Sequence, residues 1–371
     1  MARHFSALMA LAAALALLAA CESGEAPAVD PGAGERPARA NETPMTEGPA
    51  QDWQRGVVAY CTELIDHFRA SADTLNGQVA HFTLAPTEDS RAATLSSWRL
   101  SLSAWGAASL CLHSPLPEAS PMQHREWHAR TAAAPAMAGF LDDVPGFEGS
   151  GIVHDETVSL TLENLVRQHQ VTDEAEVALG LFALEVLLFG AVPRSPQDYA
   201  PAGDLESIPL TEQSHQARRS RITALLALDL AHQARQWQGY WQTLAGSPFA
   251  ETDAAAVLWQ WSRALEHLAP LHSSDDGTGL ALMAAHDDLY REALLTALGH
   301  WWAEATTLEQ IERLGLSVET WRDTGSQLMS ADPAAVAQAA RQLRDLSRRL
   351  EVAGGRTAPA GFTPEHEEEP S

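Results

Sequence analysis

The sequence predicts an all-α protein, a bilobal helical bundle built from two antiparallel helix bundles. Three observations predict it. No stretch shows the apolar–polar alternation of a strand, apolar residues recur at helical spacing in nearly every segment, and Pro, Gly and capping residues punctuate those segments where helices would end. The chain has 371 residues, 45% of them hydrophobic and 20% charged, a balance that suits a folded core. That length exceeds the roughly 250–300 residues at which single cores stop growing, so two lobes are expected, at 51–190 and 213–352.

The elements follow in order. Residues 1–20 carry Arg3 and then an apolar run from Phe5 to Ala20, which reads as a secretion signal. It ends in Leu18-Ala19-Ala20-Cys21, which resembles a bacterial lipobox and makes Cys21 the expected lipidated first residue. Position 22 is Glu rather than Asp, which favours the outer membrane. Residues 21–50, rich in Pro, Gly, Ala and Glu, read as a disordered tether. The expected partner is therefore the membrane, through a lipid anchor.

Helices are expected over 51–84, where Leu64, Phe68 and Ala72 recur at i, i+4, i+8, and over 88–111, joined at Pro86. Trp98 and Trp105, seven apart on the second, share a face and read as core. Cys61 and Cys111 lie symmetrically about Pro86. In an oxidising compartment they form either a disulfide, worth roughly 4 kcal/mol on the chain-entropy model, or two buried thiols. Residues 112–150 are punctuated by Pro and Gly and read as a long loop or short-helix region, a length that leans functional. Helix resumes over 154–169. Another starts at Asp173, with Glu176 completing a capping box, and runs to Gly190. A loop over 191–211 precedes a long helix over 213–244. Thr252 caps a helix to 268, and 272–278 is a polar turn. Helices follow over 279–306 and 317–330, and Asp332-Pro333 opens the last, to 350. Residues 353–371 read as a disordered acidic tail.

Charge narrows the function. With 24 Lys+Arg against 49 Asp+Glu, the net charge is −25, and no lysine occurs. Phosphate binding needs a basic footprint, so nucleic acid is excluded as a partner. There is no Gly-x-Ser-x-Gly and no glycine-rich phosphate loop, so nucleophilic hydrolysis and nucleotide chemistry have no support.

One position is unusual. Within Gly180-Leu181-Phe182-Ala183-Leu184-Glu185-Val186-Leu187-Leu188-Phe189-Gly190, Glu185 interrupts an apolar run. A carboxylate there is exposed, paired with an arginine, or part of a site, because burial unpaired is costly.

This segment resembles the imelysin family, bacterial surface and periplasmic proteins described as metallopeptidases and linked to iron. Gly180, Glu185 and the apolar tail to Gly190 fit the family's Gly-x-His-x-x-Glu signature, but Phe182 stands at the histidine position. The likeness extends upstream through Gly139–Phe147, Ser150–Asp155 and Leu165–Thr172, and downstream through Arg194-Ser195, Asp198-Tyr199 and Ala217–Arg221. It implies a bilobal helical bundle and a role around iron or haem acquisition. The site it implies is a cleft near Glu185, Arg194, Asp198, Tyr199, Arg218 and Arg219.

In the family pattern, His and Glu three apart on a helix suit a shared iron or zinc ion. Phe182 has no donor atom, and a single carboxylate does not make a metal site. His154, His169, His215 and His286 lack metal-site spacing with one another. His124 and His128 stand one helical turn apart around Glu126, but the order differs from that of a zincin. The cofactor is left open between iron, zinc and none. The leading expectation is a binding or accessory protein; the alternatives are a metal-dependent peptidase and a structural scaffold.

Overall fold

The computed structural model describes residues 49–113, 121–190, 193–201, 208–245, 287–303, 317–328 and 333–353, with isolated positions between 258 and 265 and at 311–312. The signal, Cys21, the tether up to residue 48, His286, the polar turn and the acidic tail after residue 353 lie outside the described residues; residues 49–50, read as tether, open the first helix.

The long first helix sets the frame. In α1 (Pro49–Leu84) the buried stripe is Cys61, Ile65, Phe68, Ala72, Leu75, Val79 and Phe82, alternating steps of four and three. That 3.5-residue rhythm keeps one seam facing its neighbours along the whole helix. Leu64 flanks the stripe rather than lying in it. Thr87 caps α2 (Glu88–Ser109), exchanging bonds with Ser90, and α2 turns back along α1. Cys61 and Cys111 are joined in a disulfide, with Cα atoms 5.6 Å apart. Trp98 and Trp105 are fully buried, as their shared face predicts.

The region expected as a long loop or short-helix region contains a twelve-residue helix, α3 (Pro121–Ala132), and one turn of helix, α4 (Ala138–Leu141). Expectation and structure differ over 154–190. Helix is limited to α5 (Leu162–Gln168) and α6 (Gly180–Phe189). Asp173 Oδ1 accepts the Ala175 N–H as a cap would, but Glu176 Oε2 accepts from Thr172 rather than from Asp173, so the expected capping box does not form. They close a turn that does not propagate. Gly180 explains why the helix waits. Its φ is +86°, and a Cβ there would collide with the Thr131 carbonyl of α3.

The second half supplies α7 (His215–Ala245), α8 (Asp287–Ala303), α9 (Val318–Leu328) and α10 (Pro333–Ala353). Helices from the two halves pack directly, α1 on α7 and α2 on α8. Tyr60 donates to Ala297 O, and Trp241 Nε1 donates to Thr62 Oγ1. Trp302 and Trp321 stack at 4.0 Å, each indole N–H bonding the other residue's carbonyl, and so lock α8 to α9. Residues 47–371 form one unit by internal contact. No strand occurs among the described residues, and the architecture is an all-α helical bundle.

Candidate functional site

The polar centre of the molecule is assembled by a loop that folds back on itself. Gly151 has φ +83°, and a Cβ there would collide with the backbone at Leu141 and Asp142. That close approach lets Ile152 N bond Phe140 O and Val153 N bond Leu141 O. Asp142 and His154 are thereby set side by side.

Arg218, on the first turns of α7, holds this loop from beneath. It is fully buried. Its Nε donates to Val153 O, its Nη2 to the carbonyls of Ile152, Asp155 and Val158, and its Nη1 to Gln213 Oε1. These five bonds tie the guanidinium into the scaffold of the loop.

The next residue does something different. Arg219 Nε and Nη2 bond Asp142 Oδ2 and Oδ1 at 2.5 and 2.8 Å, and its Nη1 donates to Asp198 O. Arg194 Nη2 lies 3.0 Å from both Asp142 Oδ2 and Asp143 Oδ1. Two carboxylates and two guanidiniums thus form one compensated cluster. Asp142 is buried, whereas Asp143 is about a third exposed. Burial pushes the Asp143 carboxyl up, but hydrogen bonding with the Asp142 and Arg194 side chains and the charges of Arg194 and His154 hold it down at about 2.

Two histidines close the open edge. His154 Nε2 lies 3.3 Å from Asp142 Oδ1 and 3.6 Å from Asp143 Oδ1, and neither ring nitrogen makes a hydrogen bond among the described residues. The ring of His215, at the start of α7, sits 4.2 Å away. Burial, then the charges of His154 and Arg219, lower the His215 pKa.

The other predicted residues have structural partners. The Asp198 carboxylate accepts from Ser195 N and Oγ and closes a 3₁₀ turn. Tyr199 is buried, its hydroxyl donating to Leu187 O of α6 and its ring edge-on to Phe82. Burial raises its pKa above the usual phenol value. Glu185 and Phe182 are both 2% exposed within α6. His128 stands 6.0 Å from the Trp105 ring, and the side chain of His124 lies outside the described residues.

A metal of the kind the motif helix suggests does not fit. Phe182 places a ring without a donor in the core, where that pattern needs an imidazole. Asp142, Asp143 and His154 do bring three ligand atoms within 4.8 Å of one another. Yet Arg194 and Arg219 already occupy those carboxylates, and a bare divalent ion would meet two guanidiniums at contact distance. The cluster is electrically complete without one.

Sequence reading missed Asp142 and Asp143 as site residues and took His154 and His215 singly. The sequence offers no signal joining positions 142, 154, 194 and 219. The Gly151 close approach, visible only in three dimensions, does so.

The imelysin family model matches residues 59–354. A solved structure described as an iron-regulated protein A precursor from Parabacteroides distasonis ATCC 8503 is similar at 11% identity and TM-score 0.52, covering 84% of this chain and 96% of its own. An imelysin-like protein from Psychrobacter arcticum 273-4 is similar at 14% identity and TM-score 0.50, covering 82% and 95%. A search of curated protein sequences finds no match. These structures share the fold of this chain, and by the family match over most of its length the chain belongs to the imelysin family.

Proposed function

We propose that this protein is a ligand-binding or accessory member of the imelysin family, held at the cell envelope through lipid on Cys21, and that it serves iron or haem acquisition without hydrolysing peptides. The observation that carries the non-hydrolytic reading is Phe182, buried in the motif helix at the position where the family pattern has histidine. A hydrolytic metal needs several protein donors and an open position for water, and this helix offers Glu185 alone.

The iron link draws on the description of the Parabacteroides relative as iron-regulated. The electroneutral cluster suits iron in complexed form better than a bare ion, since a chelate brings its own donors. Contact would fall on the open edge formed by Asp143, His154 and His215.

Absorbance titration with haem and calorimetric titration with ferric citrate test this. Saturable one-to-one binding of one of them, lost in His154→Ala, is the expected result. Binding of neither contradicts the acquisition role. Peptide hydrolysis that stops on chelation and in Glu185→Ala would replace the reading with a metallopeptidase. The anchor is tested by Cys21→Ser, which should move the protein from the membrane fraction to the soluble fraction.

A further inference from the structure

A cavity of about 460 Å³ opens beside α3, α5 and the later turns of α7, in the size range of small-molecule sites. It is a different place from the Asp142 cluster. Gln233 and Arg219 are both on α7, and the helical rise sets them about 20 Å apart along its axis.

The cavity has an aromatic side and a polar side. Trp127 and Tyr240 meet edge to face with centroids 4.9 Å apart. Glu126, Arg130, Gln233 and Gln236 provide the polar groups.

The chemistry of these groups excludes most ligands in turn. An anion needs an available positive charge, but Arg130 Nε and Nη2 bond Asp229 Oδ2 and Oδ1 at 3.1 and 2.7 Å. The neighbouring His169 is neutral. Its Nδ1 accepts the Ala178 N–H, its Nε2 bonds Ala129 O, and burial lowers its pKa. With both ring nitrogens engaged, His169 offers a metal nothing. A cationic ligand finds one carboxylate, Glu126, at the exposed rim, because the buried Asp229 is already neutralised. A wholly apolar ligand would strand the amides.

What these walls do match is a neutral molecule with an apolar face and a rim of hydroxyls. Gln233 gives its Nε2 to Asp229 Oδ1 at 3.3 Å and keeps its carbonyl oxygen as an acceptor. Gln236, exposed, bonds His232 through one amide atom. Planar amide and carboxylate groups bond adjacent hydroxyls in pairs, and an indole or phenol ring packs against sugar C–H groups. We propose that this cavity binds a short neutral saccharide, a role separate from the iron reading.

The test is calorimetry of the folded chain against chitotriose, cellotriose and maltotriose, with Arg-Gly-Arg as the cationic probe and a neutral-glycan array for breadth. One saccharide should bind saturably, and Gln236→Ala, at an exposed position, should weaken it about fivefold, the usual effect of one hydrogen bond. Glu126→Gln, also exposed, should retain binding, because an amide can still bond hydroxyls. No binding by any neutral glycan at millimolar concentration, binding of the peptide alone, or saccharide affinity unchanged in Gln236→Ala would each overturn the proposal. Because His154→Ala reads the other end of α7, failure here is distinguishable from failure of the iron reading.

Discussion

Arg219 grips Asp142 through two hydrogen bonds, one to each carboxylate oxygen, and the two residues are 77 positions apart in the chain. The pair ties the first turns of α7 to the loop after α4, with both side chains buried. A bidentate pair of this kind is the strong form of charge-assisted bonding, and it fixes geometry as well as energy. Removing one partner leaves the buried cluster one charge out of balance, although Arg194 still lies 3.0 Å from Asp142. Asp142→Ala or Arg219→Ala is therefore expected to destabilise the fold by about 3–5 kcal/mol. The double variant should cost less than the sum of the two, as urea unfolding midpoints would read.

Asp143 makes the acid limb predictable. Its pKa falls from an ordinary 3.8 to about 2 in the folded chain, so its contribution is fully present above about pH 4. It is lost as pH drops through about 2. Melting temperatures of wild type and Asp143→Asn should differ by a constant amount above pH 5, with wild type higher. The difference should shrink between pH 4 and 2. A gap that widened on acidification would contradict the assignment.

The Cys61–Cys111 bridge spans 50 positions. Opening it should lower stability by roughly 4 kcal/mol on the chain-entropy model. Thiol labelling of protein unfolded without reductant should find neither cysteine reactive.

Gly180 is the most demanding backbone position of the motif helix, with positive φ and the α3 carbonyls against its Cα. Gly180→Ala should destabilise by more than about 2 kcal/mol, since left-handed backbone alone costs a side-chain-bearing residue about 1–2. The motif glycine is thus explained by packing, whatever the ligand.

Much of the fold was legible because it is written locally. The α1 span, the Pro86 break, the Gly190 stop and the α7 span follow from spacing and caps, whereas the α1 stripe was read correctly at Phe68 and Ala72 and one position off at Leu64. The cysteine symmetry about Pro86 left two outcomes, and the facing of the side chains decided between them. The region 154–190 was misread because the Asp173 and Glu176 spacing of a capping box closes only a turn, Glu176 bonding Thr172 rather than Asp173, and helix begins only at Gly180, where the chain meets Thr131. The site was the least legible part. Arg218 and Arg219 are adjacent and identical in type, yet one is absorbed by carbonyls and the other by Asp142. Only the path of the 139–158 loop tells them apart.

Phe182 decides between recognition and hydrolysis. The most direct measurement is elemental analysis of wild-type protein purified without chelators, run beside a peptide-hydrolysis assay with added zinc and iron. A motif helix without its imidazole predicts substoichiometric metal and no hydrolysis above background. A full equivalent of metal, together with hydrolysis that disappears in Glu185→Ala, would contradict it.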